Sequence, residues 1–321
     1  MPTFWLSMHV PYACRHAGAC CSAGWPIPVE QEAVPAIARL RGDASWLVPV
    51  AGVAPGIAGV LALSPAGRCV FRDRQCEVHR RLGHAALPRA CQHFPREVLI
   101  DARGVFVTLS HDCPTAVDFL FDHAGPVEIV AGPPALPHGE AEGLDARDVL
   151  PPLLTDGVLM DHEAYFAWDA HMVRALTAGD ERAPDAVLDQ LDQDFAAWQR
   201  WRPGGPSLAA SLAGMIRPPV LAADAPRPRG CAPSDTVVIR RYLAARAFAS
   251  WLAYEGGGMI AVLRSLRLFL STVREFASRM PLKEAIRETD RRLLHLTPRD
   301  ALARMVGAGR SQRSNSAITG P

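Results

Sequence analysis

The cysteines of this chain are crowded into its first third. The sequence has 321 residues and eight cysteines, and seven of the eight lie within the first 123 residues. These seven are Cys14, Cys20, Cys21, Cys69, Cys76, Cys91 and Cys113. The eighth, Cys231, stands alone in a segment rich in proline, arginine and glycine, and we expect no role for it. Single cysteines are often ordinary buried residues, but a distribution this uneven indicates a shared thiol site.

The chemistry that uses so many thiols together is metal binding. Thiolates bind soft and borderline metals, and four of them complete either a tetrahedral zinc site or an iron–sulfur cluster. The spacing from Cys14 to Cys113 follows neither the paired C-x2-C knuckles of a zinc ribbon nor the runs of a ferredoxin. We therefore expect the ligands to come from separate loops that the fold brings together, and any four of the seven cysteines would suffice.

Four histidines lie close to these cysteines in sequence, namely His16, His79, His93 and His111. Each is a candidate metal ligand or a hydrogen-bonding partner of a ligand. For each histidine taken alone, an ordinary structural or solvated role is the more common case. The sequence identifies no catalytic residue.

Several blocks around the cysteines resemble one known family in the same order. Cys14-Arg-His-Ala-Gly-Ala-Cys20-Cys21 resembles the signature that opens the YkgJ-type cysteine-cluster family, a group described as zinc- or iron-chelating. Three later blocks resemble that family too: Cys69-Val-Phe71, Cys76-Glu-Val-His79 and Leu87-Pro-Arg-Ala-Cys91-Gln-His-Phe-Pro95-Arg96. Ser110-His-Asp-Cys113-Pro114 resembles an element of its flagellin lysine-N-methylase (FliB) branch. The resemblance covers about residues 10–121.

The resemblance implies an iron–sulfur protein that modifies another protein. The flagellin lysine-N-methylase branch is linked to a [4Fe–4S] cluster and to methyl transfer from S-adenosylmethionine, so the implied substrate is a flagellin-like protein. One departure is Ala17, which stands where the family has the second cysteine of its opening signature. The chain lacks the strand–GxGxG–helix segment of a Rossmann-type methyltransferase. S-adenosylmethionine would therefore have to bind at or near the cluster.

A second hypothesis belongs to a different class of protein. The same thiols suit a structural zinc or iron centre in a non-catalytic module whose helical half binds a protein partner. A catalytic iron–sulfur cluster is coloured and redox-active, whereas a structural zinc site is colourless and its removal unfolds the domain. We favour iron–sulfur over zinc chiefly because of the resemblance.

Charge and hydropathy narrow the range of partners. The 34 basic and 33 acidic residues leave a net charge of +1, which argues against a bulk attraction to nucleic acid or to an anionic membrane. The first residues lack the pattern of a signal peptide. The apolar stretch Met259 to Leu270 is short and is broken by Arg264 and Arg267, so it does not predict membrane insertion. We expect a cytoplasmic protein, in which thiols stay reduced.

The predicted fold class is mainly α, with an irregular cysteine-rich module ahead of a helical domain. We expect the cysteine module at residues 1–123, a Pro/Gly-rich linker at 124–144, the helical domain at 145–307 and a disordered tail at 308–321. Two apolar runs around Asp101-Ala-Arg-Gly104 predict a small β-hairpin in the module.

Helical periodicity is clearest after the linker. It predicts helices over Asp161–Leu176, with Asp161 as N-cap, and over 184–201, 234–254 and 259–279, with short helices at 206–216 and 298–306. One more helix is predicted earlier, over Val29–Arg41. Four tryptophans are expected to anchor the core: Trp168, Trp198, Trp201 and Trp251. Arg264, Arg267 and Arg274 form a basic stripe, which is either a solvated helix face or a surface for an acidic partner.

Overall fold

The computed structural model describes residues 1–52, 54–138, 141–155, 157–179, 181–215, 233–255 and 257–307. Cys231 and the predicted tail 308–321 lie outside these residues. Within the described residues, 44% are helical and 14% lie in strands. The fold is therefore mixed α/β, and the prediction of a mainly α chain underestimated the strands. Strand pairing joins segments far apart in sequence, which local periodicity does not reveal.

The described strands form three sheets. In chain order they are β1 (Thr3–Leu6), β2 (Pro28–Glu30), β3 (Leu47–Val48), β4 (Ile57–Leu61), β5 (Arg96–Asp101), β6 (Gly104–Leu109), β7 (Ile129–Ala131), β8 (Leu144–Asp145), β9 (Leu153–Thr155) and β10 (Val158–Leu159). The largest sheet has the order β7-β1-β6-β5-β8. A smaller sheet has the order β2-β4-β3, and β9 pairs with β10.

The largest sheet is built around a hairpin. β5 and β6 pair antiparallel from Arg96 opposite Leu109 to Asp101 opposite Gly104, which confirms the predicted hairpin. β1 runs parallel to β6, and β8 runs parallel to β5. Phe106 and its neighbour Val107, whose side chains point to opposite faces of β6, are both fully buried. The sheet is therefore covered by other elements on both faces.

The segment predicted as a linker, 124–144, takes part in this sheet. Its residues Ile129–Ala131 form β7 and pair antiparallel with β1. Leu144, at its end, lies in β8 opposite Leu99 of β5. Val127 and Ala135 are buried. Burial of the apolar side chains in this segment outweighs the effect of its prolines and glycines. The segment is therefore packed against the sheet.

Gly143 marks a close backbone contact in this segment. A Cβ added at Gly143 would lie 2.1 Å from the carbonyl oxygen of Val98, a backbone atom that cannot rotate away. We expect Gly143→Ala to lower the free energy of unfolding by about 1–3 kcal/mol, as overpacking usually does. Urea unfolding measures the effect. Gly179→Ala is the control, since a Cβ there meets nothing within 4 Å. Equal stability of the two variants would contradict this close contact.

Helices occupy most of the second half. In chain order the helices are α1 (Val34–Ala38), α2 (Glu77–Leu82), α3 (Arg89–His93), α4 (Pro114–Asp122), α5 (His162–Thr177), α6 (Pro184–Trp198), α7 (Leu208–Met215), α8 (Asp235–Ala247), α9 (Gly258–Ala277), α10 (Leu282–Asp290) and α11 (Arg299–Met305). Short 3-10 turns span His84–Ala86 and Trp251–Tyr254, and a π-helical turn spans Arg291–Leu296.

The predicted helices of the second half agree well with α5, α6, α7, α9 and α11. Asp161 is the N-cap of α5, as predicted, because its Oδ1 accepts a hydrogen bond from the amide of Ala164 at 2.7 Å. The helix predicted over 234–254 is interrupted instead. Its first part, α8, ends at Ala247, and Ala249 then adopts a φ of 57°, which turns the chain before the 3-10 turn that follows.

The helix predicted over Val29–Arg41 is largely wrong. Val29 lies in β2 opposite Gly59 of β4, and a short helix, α1, begins only at Val34. The side chain of Val29 is fully buried in the small sheet, so strand pairing overrides the helical periodicity of this segment.

One hydrophobic core spans both halves of the chain. It joins Leu6 and Phe106 of the large sheet to side chains of α5, α6, α8 and α9. Trp168 and Trp198 are fully buried in it, and Trp201 and Trp251 pack against it, which confirms that the tryptophans anchor the core. The division of the chain into domains at 123 and 145 stays a prediction, and this core crosses it.

A buried ion network also joins the two halves. Arg103, in the turn of the hairpin, bridges Asp101 at 2.8 Å and Asp169 of α5 at 2.9 Å. Its guanidinium lies 3.5 Å from the ring centroid of Tyr165, also on α5. Asp101 accepts a further hydrogen bond from the hydroxyl of Tyr254 at 2.7 Å. The network holds the hairpin against helix α5. The first strand of this hairpin, β5, follows Cys91 in the chain.

The basic stripe of α9 faces carboxylates of the same chain. Arg267 pairs with Asp189 and Asp192 of α6, and Arg274 pairs with Asp185. The acidic partner of this stripe is therefore α6. These pairs are about half exposed, so each adds only about 0–1 kcal/mol to stability. No helix in the described part of the chain is long and apolar enough to cross a membrane.

Candidate metal centre

Five of the seven cysteines meet in one place. Cys21 and Cys69 are buried in a second hydrophobic cluster, separate from the large core, and Cys20, Cys76 and Cys91 pack against it. The cluster lies between the small sheet and helices α1 to α3, and its apolar members include Val29 and Phe71. The ligand candidates therefore come from separate loops, as the spacing predicted.

Cys21 lies at the middle of this group. Its Sγ is 3.9 Å from the Sγ of Cys20, and the neighbouring thiols of Cys20, Cys69 and Cys76, together with burial, raise its pKa. The amide of Cys69 donates a hydrogen bond to the carbonyl oxygen of Cys21 at 2.8 Å, which ties the two loops together. Adjacent cysteines usually point in different directions, but the turn at Cys20 and Cys21 brings both sulfurs to one site.

Cys76 is held where a thiolate is stabilised. It is the N-cap residue of α2, where the backbone amides of Val78 and His79 lie near its sulfur and favour the thiolate, although no capping hydrogen bond forms. The thiol of Cys21 has the largest effect and lowers the pKa of Cys76. Burial raises this pKa, the two amides lower it further, and the resulting pKa is about 6. Hydrogen bonding from Cys21 also lowers the pKa of Cys69 and of Cys20. Of the five thiols, those of Cys20, Cys69 and Cys76 are thus the ones that lose a proton most readily, whereas the pKa of Cys21 is raised.

Cys91 is the fifth member of the group. It lies on the short helix α3, and burial raises its pKa well above the usual value of a thiol. The neighbouring thiols of Cys20, Cys76 and Cys69 raise that pKa further, because like charges repel at short range. Cys91 therefore faces the same site.

The other two predicted ligands lie apart from this group. Cys113 is buried at the N-cap of α4, where its Sγ lies 4.0 Å from the hydroxyl of Tyr12. Cys14 is exposed in a loop, and the amide of His16 donates a hydrogen bond to its sulfur at 3.4 Å. Cys14, His16 and His79 have ligand atoms that all lie within 4.8 Å of one another.

The remaining two histidines have other surroundings. The Nε2 of His93 accepts a hydrogen bond from the amide of Glu142 at 3.3 Å. His111 is fully buried in the interior, where its Nδ1 lies 3.3 Å from Asp290 and its ring packs on Tyr242. Neither contact involves a cysteine, so the sequence proximity of His111 to Cys113 does not make it part of the thiol group.

The spread of the sulfurs distinguishes between metals. A zinc ion bound to four thiolates at about 2.3 Å would hold their sulfurs about 3.8 Å from one another. Cys20 and Cys21 match that separation. Among the described residues, however, Cys14, His16 and His79 are the one group of three whose ligand atoms all lie within 4.8 Å of one another, so no three thiols of the larger group are that compact. The donor set fits a larger cluster, whose thiolates bind different iron atoms, better than one zinc ion.

Sequence reasoning missed a cavity of about 200 Å³ beside this group. Its lining includes His93, Arg96, Glu97 and Glu142 from the N-terminal half and His295 and Arg299 from the C-terminal end. Glu97 is paired with Arg246, and Glu142 with Arg89, whereas Arg96 and Arg299 form no ion pair in the described residues. The cavity therefore offers two unpaired cations, and no local sequence signal joins them because they are about 200 residues apart.

Trp25 links the cysteine group to this cavity, because it packs against the cluster that holds the cysteines and contacts His295, which lines the cavity. The ring centroid of Trp25 lies 4.7 Å from that of His295 and 5.8 Å from that of Phe94. The Nε2 of His295 also lies 2.7 Å from the hydroxyl oxygen of Ser110. The C-terminal π-helical turn is thereby fixed against the cysteine-rich half.

No protein-family model, curated protein or solved structure matches this chain. The site is therefore interpreted from its own geometry, and the family resemblance stays a prediction.

Proposed function

We propose that this protein holds an iron–sulfur cluster, of the [4Fe–4S] type, on thiolates from its cysteine-rich half. The observation that carries the proposal is the convergence of Cys20, Cys21, Cys69, Cys76 and Cys91 on one apolar cluster. The thiols come from three loops and a helix, so the fold, and not a short motif, supports the site. A cluster of this kind requires reduced thiols, and we propose the cytoplasm as its location.

The proposed ligands are Cys69, Cys76, Cys91 and one of the pair Cys20 and Cys21. Four thiolates are enough for a [4Fe–4S] cluster, which leaves the other member of the pair as a hydrogen-bond donor to a ligand sulfur. Ala17 is no obstacle, because this set does not use the position that it occupies. Zinc is the less favoured metal because the thiols are too widely spread for one ion.

The activity that we propose is methyl transfer to a protein lysine, and it rests on the ordered blocks that resemble the flagellin lysine-N-methylase branch. In this reaction a neutral lysine amine takes the methyl group of S-adenosylmethionine, and S-adenosylhomocysteine and one proton are released. The cavity next to the cysteine group supports the binding of such a molecule, since Arg96 and Arg299 suit a carboxylate group. The partner would be a flagellin-like protein.

Metal and sulfide analysis of protein purified without oxygen tests the proposal. We expect a brown protein with about four irons and four sulfides per chain. Stoichiometric zinc without sulfide would refute the cluster and favour the structural module. The same preparation is then tested for binding of S-adenosylmethionine and, by mass spectrometry, for methylation of flagellin lysines. A cluster without either activity would leave the metal proposal intact and refute the enzymatic one.

A further inference from the structure

A second group of ligands lies outside the proposed cluster. Cys14 and His16 belong to the exposed loop before the cysteine pair, and His79 lies on α2. The sulfur of Cys14 and one nitrogen from each histidine all lie within 4.8 Å of one another. Cys20 and Cys76 of the main group raise the pKa of Cys14, after the larger effect of burial, so the two groups are neighbours.

The rings of this group are spaced as they would be around one ion. Two imidazoles bound to a tetrahedral zinc ion at about 2.0–2.1 Å have ring centroids about 5 Å apart. The centroids of His16 and His79 are 4.6 Å apart, and those of His79 and His84 are 5.7 Å apart. The rings of His16 and His79 therefore have about the spacing expected around one ion.

His84 supplies an independent observation. Its Nε2 lies 3.2 Å from the carbonyl oxygen of Gln92, which fixes the proton on that nitrogen. Its Nδ1 is buried and has no hydrogen-bond partner in the described residues. Histidines that bind metal commonly donate one N–H to a carbonyl and direct the other nitrogen to the ion.

The loop around His16 is held against a neighbouring segment. His16 adopts a positive φ of 57°, a conformation in which asparagine, aspartate and histidine are enriched among the non-glycine residues. Two residues later, a Cβ at Gly18 would lie 1.3 Å from the guanidinium of Arg72, which also hydrogen-bonds to the carbonyl oxygen of Ala17. The loop therefore lies close against the segment between Cys69 and Cys76.

From these contacts we propose a second metal site, in which Cys14, His16 and His79 bind one zinc ion and His84 lies beside them. One thiolate and two imidazoles leave the fourth tetrahedral position open, as in zinc sites that keep a bound water. The site is separate from the iron–sulfur cluster and does not depend on which metal that centre holds. Because Cys14 is exposed, the zinc ion would be accessible from solvent.

The test compares metal content in matched histidine variants of the full chain, purified without oxygen and supplied with zinc. His16→Asn removes a ligand while tolerating the positive φ, and His79→Gln removes a second ligand. His123→Ala is the control, since its ring nitrogen bonds only to the carbonyl of Pro126 among the described contacts. We expect each ligand variant to hold one zinc per chain fewer than the wild type and the control, with iron and sulfide unchanged.

Cobalt provides a second readout, since it replaces zinc and is coloured. The wild type should show a cobalt–thiolate charge-transfer band, and Cys14→Ser should lose it while keeping its iron. His16→Cys, which restores a ligand, should regain the zinc that His16→Asn lacks. Unchanged zinc in both histidine variants would overturn the proposal. So would loss of iron and sulfide together with the zinc, because the two groups would then form one centre.

Discussion

A Cys76→Ser variant is expected to lose the metal centre. Serine keeps the size of the side chain and can still cap α2, but its hydroxyl does not ionise near neutral pH and is a poor ligand for soft metals. The thiol that it replaces lies at the start of α2 near the thiol of Cys21, and its pKa is lowered to about 6. We expect iron, sulfide and visible absorbance to fall by more than about tenfold, as direct ligand loss exceeds the usual effect of a supporting residue.

Cys113→Ser is the matched control for this variant. The same substitution is made at a helix N-cap in both cases, since Cys113 begins α4 as Cys76 begins α2. The groups around Cys113 are Tyr12 and Cys14, and the five thiols of the proposed centre are not among them. We expect Cys113→Ser to keep its metal. Equal loss in both variants would place Cys113 among the ligands, and no loss in either would refute our ligand set.

Asp290→Asn is expected to be among the most destabilising single changes in the chain. Asp290 is fully buried at the end of α10, where it accepts hydrogen bonds from the hydroxyl of Tyr242 at 2.6 Å and from the amide of His111. Arg246, also buried, lies 3.9 Å away. The substitution keeps one acceptor oxygen but replaces the other with an NH2 donor and removes the negative charge that faces Arg246, which costs about 3 kcal/mol in the free energy of unfolding. Urea unfolding at neutral pH measures it.

The destabilisation by Asp290→Asn should depend on pH. Burial alone would raise the pKa of Asp290, but Arg246, His111 and Tyr242 together outweigh it and lower the pKa to about 2 from an ordinary 3.8. The carboxylate therefore stabilises the fold fully above about pH 4, and the contribution is lost as the pH falls through about 2. The gap between variant and wild type should narrow over that range. Asp300→Asn, in an exposed pair with Arg304, should leave the free energy of unfolding almost unchanged at every pH.

The thiol group was the part of the site that the sequence could predict. Cys69, Cys76 and Cys91 each lie in a short block with its own turn or helix start, so the neighbouring residues in the sequence already predict each cysteine as a metal ligand. Which of the seven would meet was not predictable, because Cys14 and Cys113 have the same side chain and differ only in where the fold places them. The hairpin and the helices of the second half could be predicted because the pattern of apolar residues that indicates each of them lies within one short stretch of sequence.

What the sequence could not reveal were contacts between residues far apart. His111 and Asp290 are 179 residues apart, and nothing near either one indicates that the histidine is part of the core and not a ligand. The cavity beside the thiols likewise needs Arg299 from the end of the described chain. The strands in 124–144 were hidden by their prolines and glycines, since a strand of three residues carries too little periodicity to detect.

The strands that this segment adds to the large sheet have a practical consequence for dissecting the protein. β7 and β8 are the two edge strands of the large sheet, and they pair with β1 and β5, respectively. A fragment ending at residue 123 would keep every clustered cysteine but leave both edges of the sheet open, with Leu6 and Phe106 stripped of their cover. Open edges recruit strands from other chains and lead to aggregation. The chemistry of the cysteines is therefore best measured in the intact chain, although all seven lie within its first 113 residues.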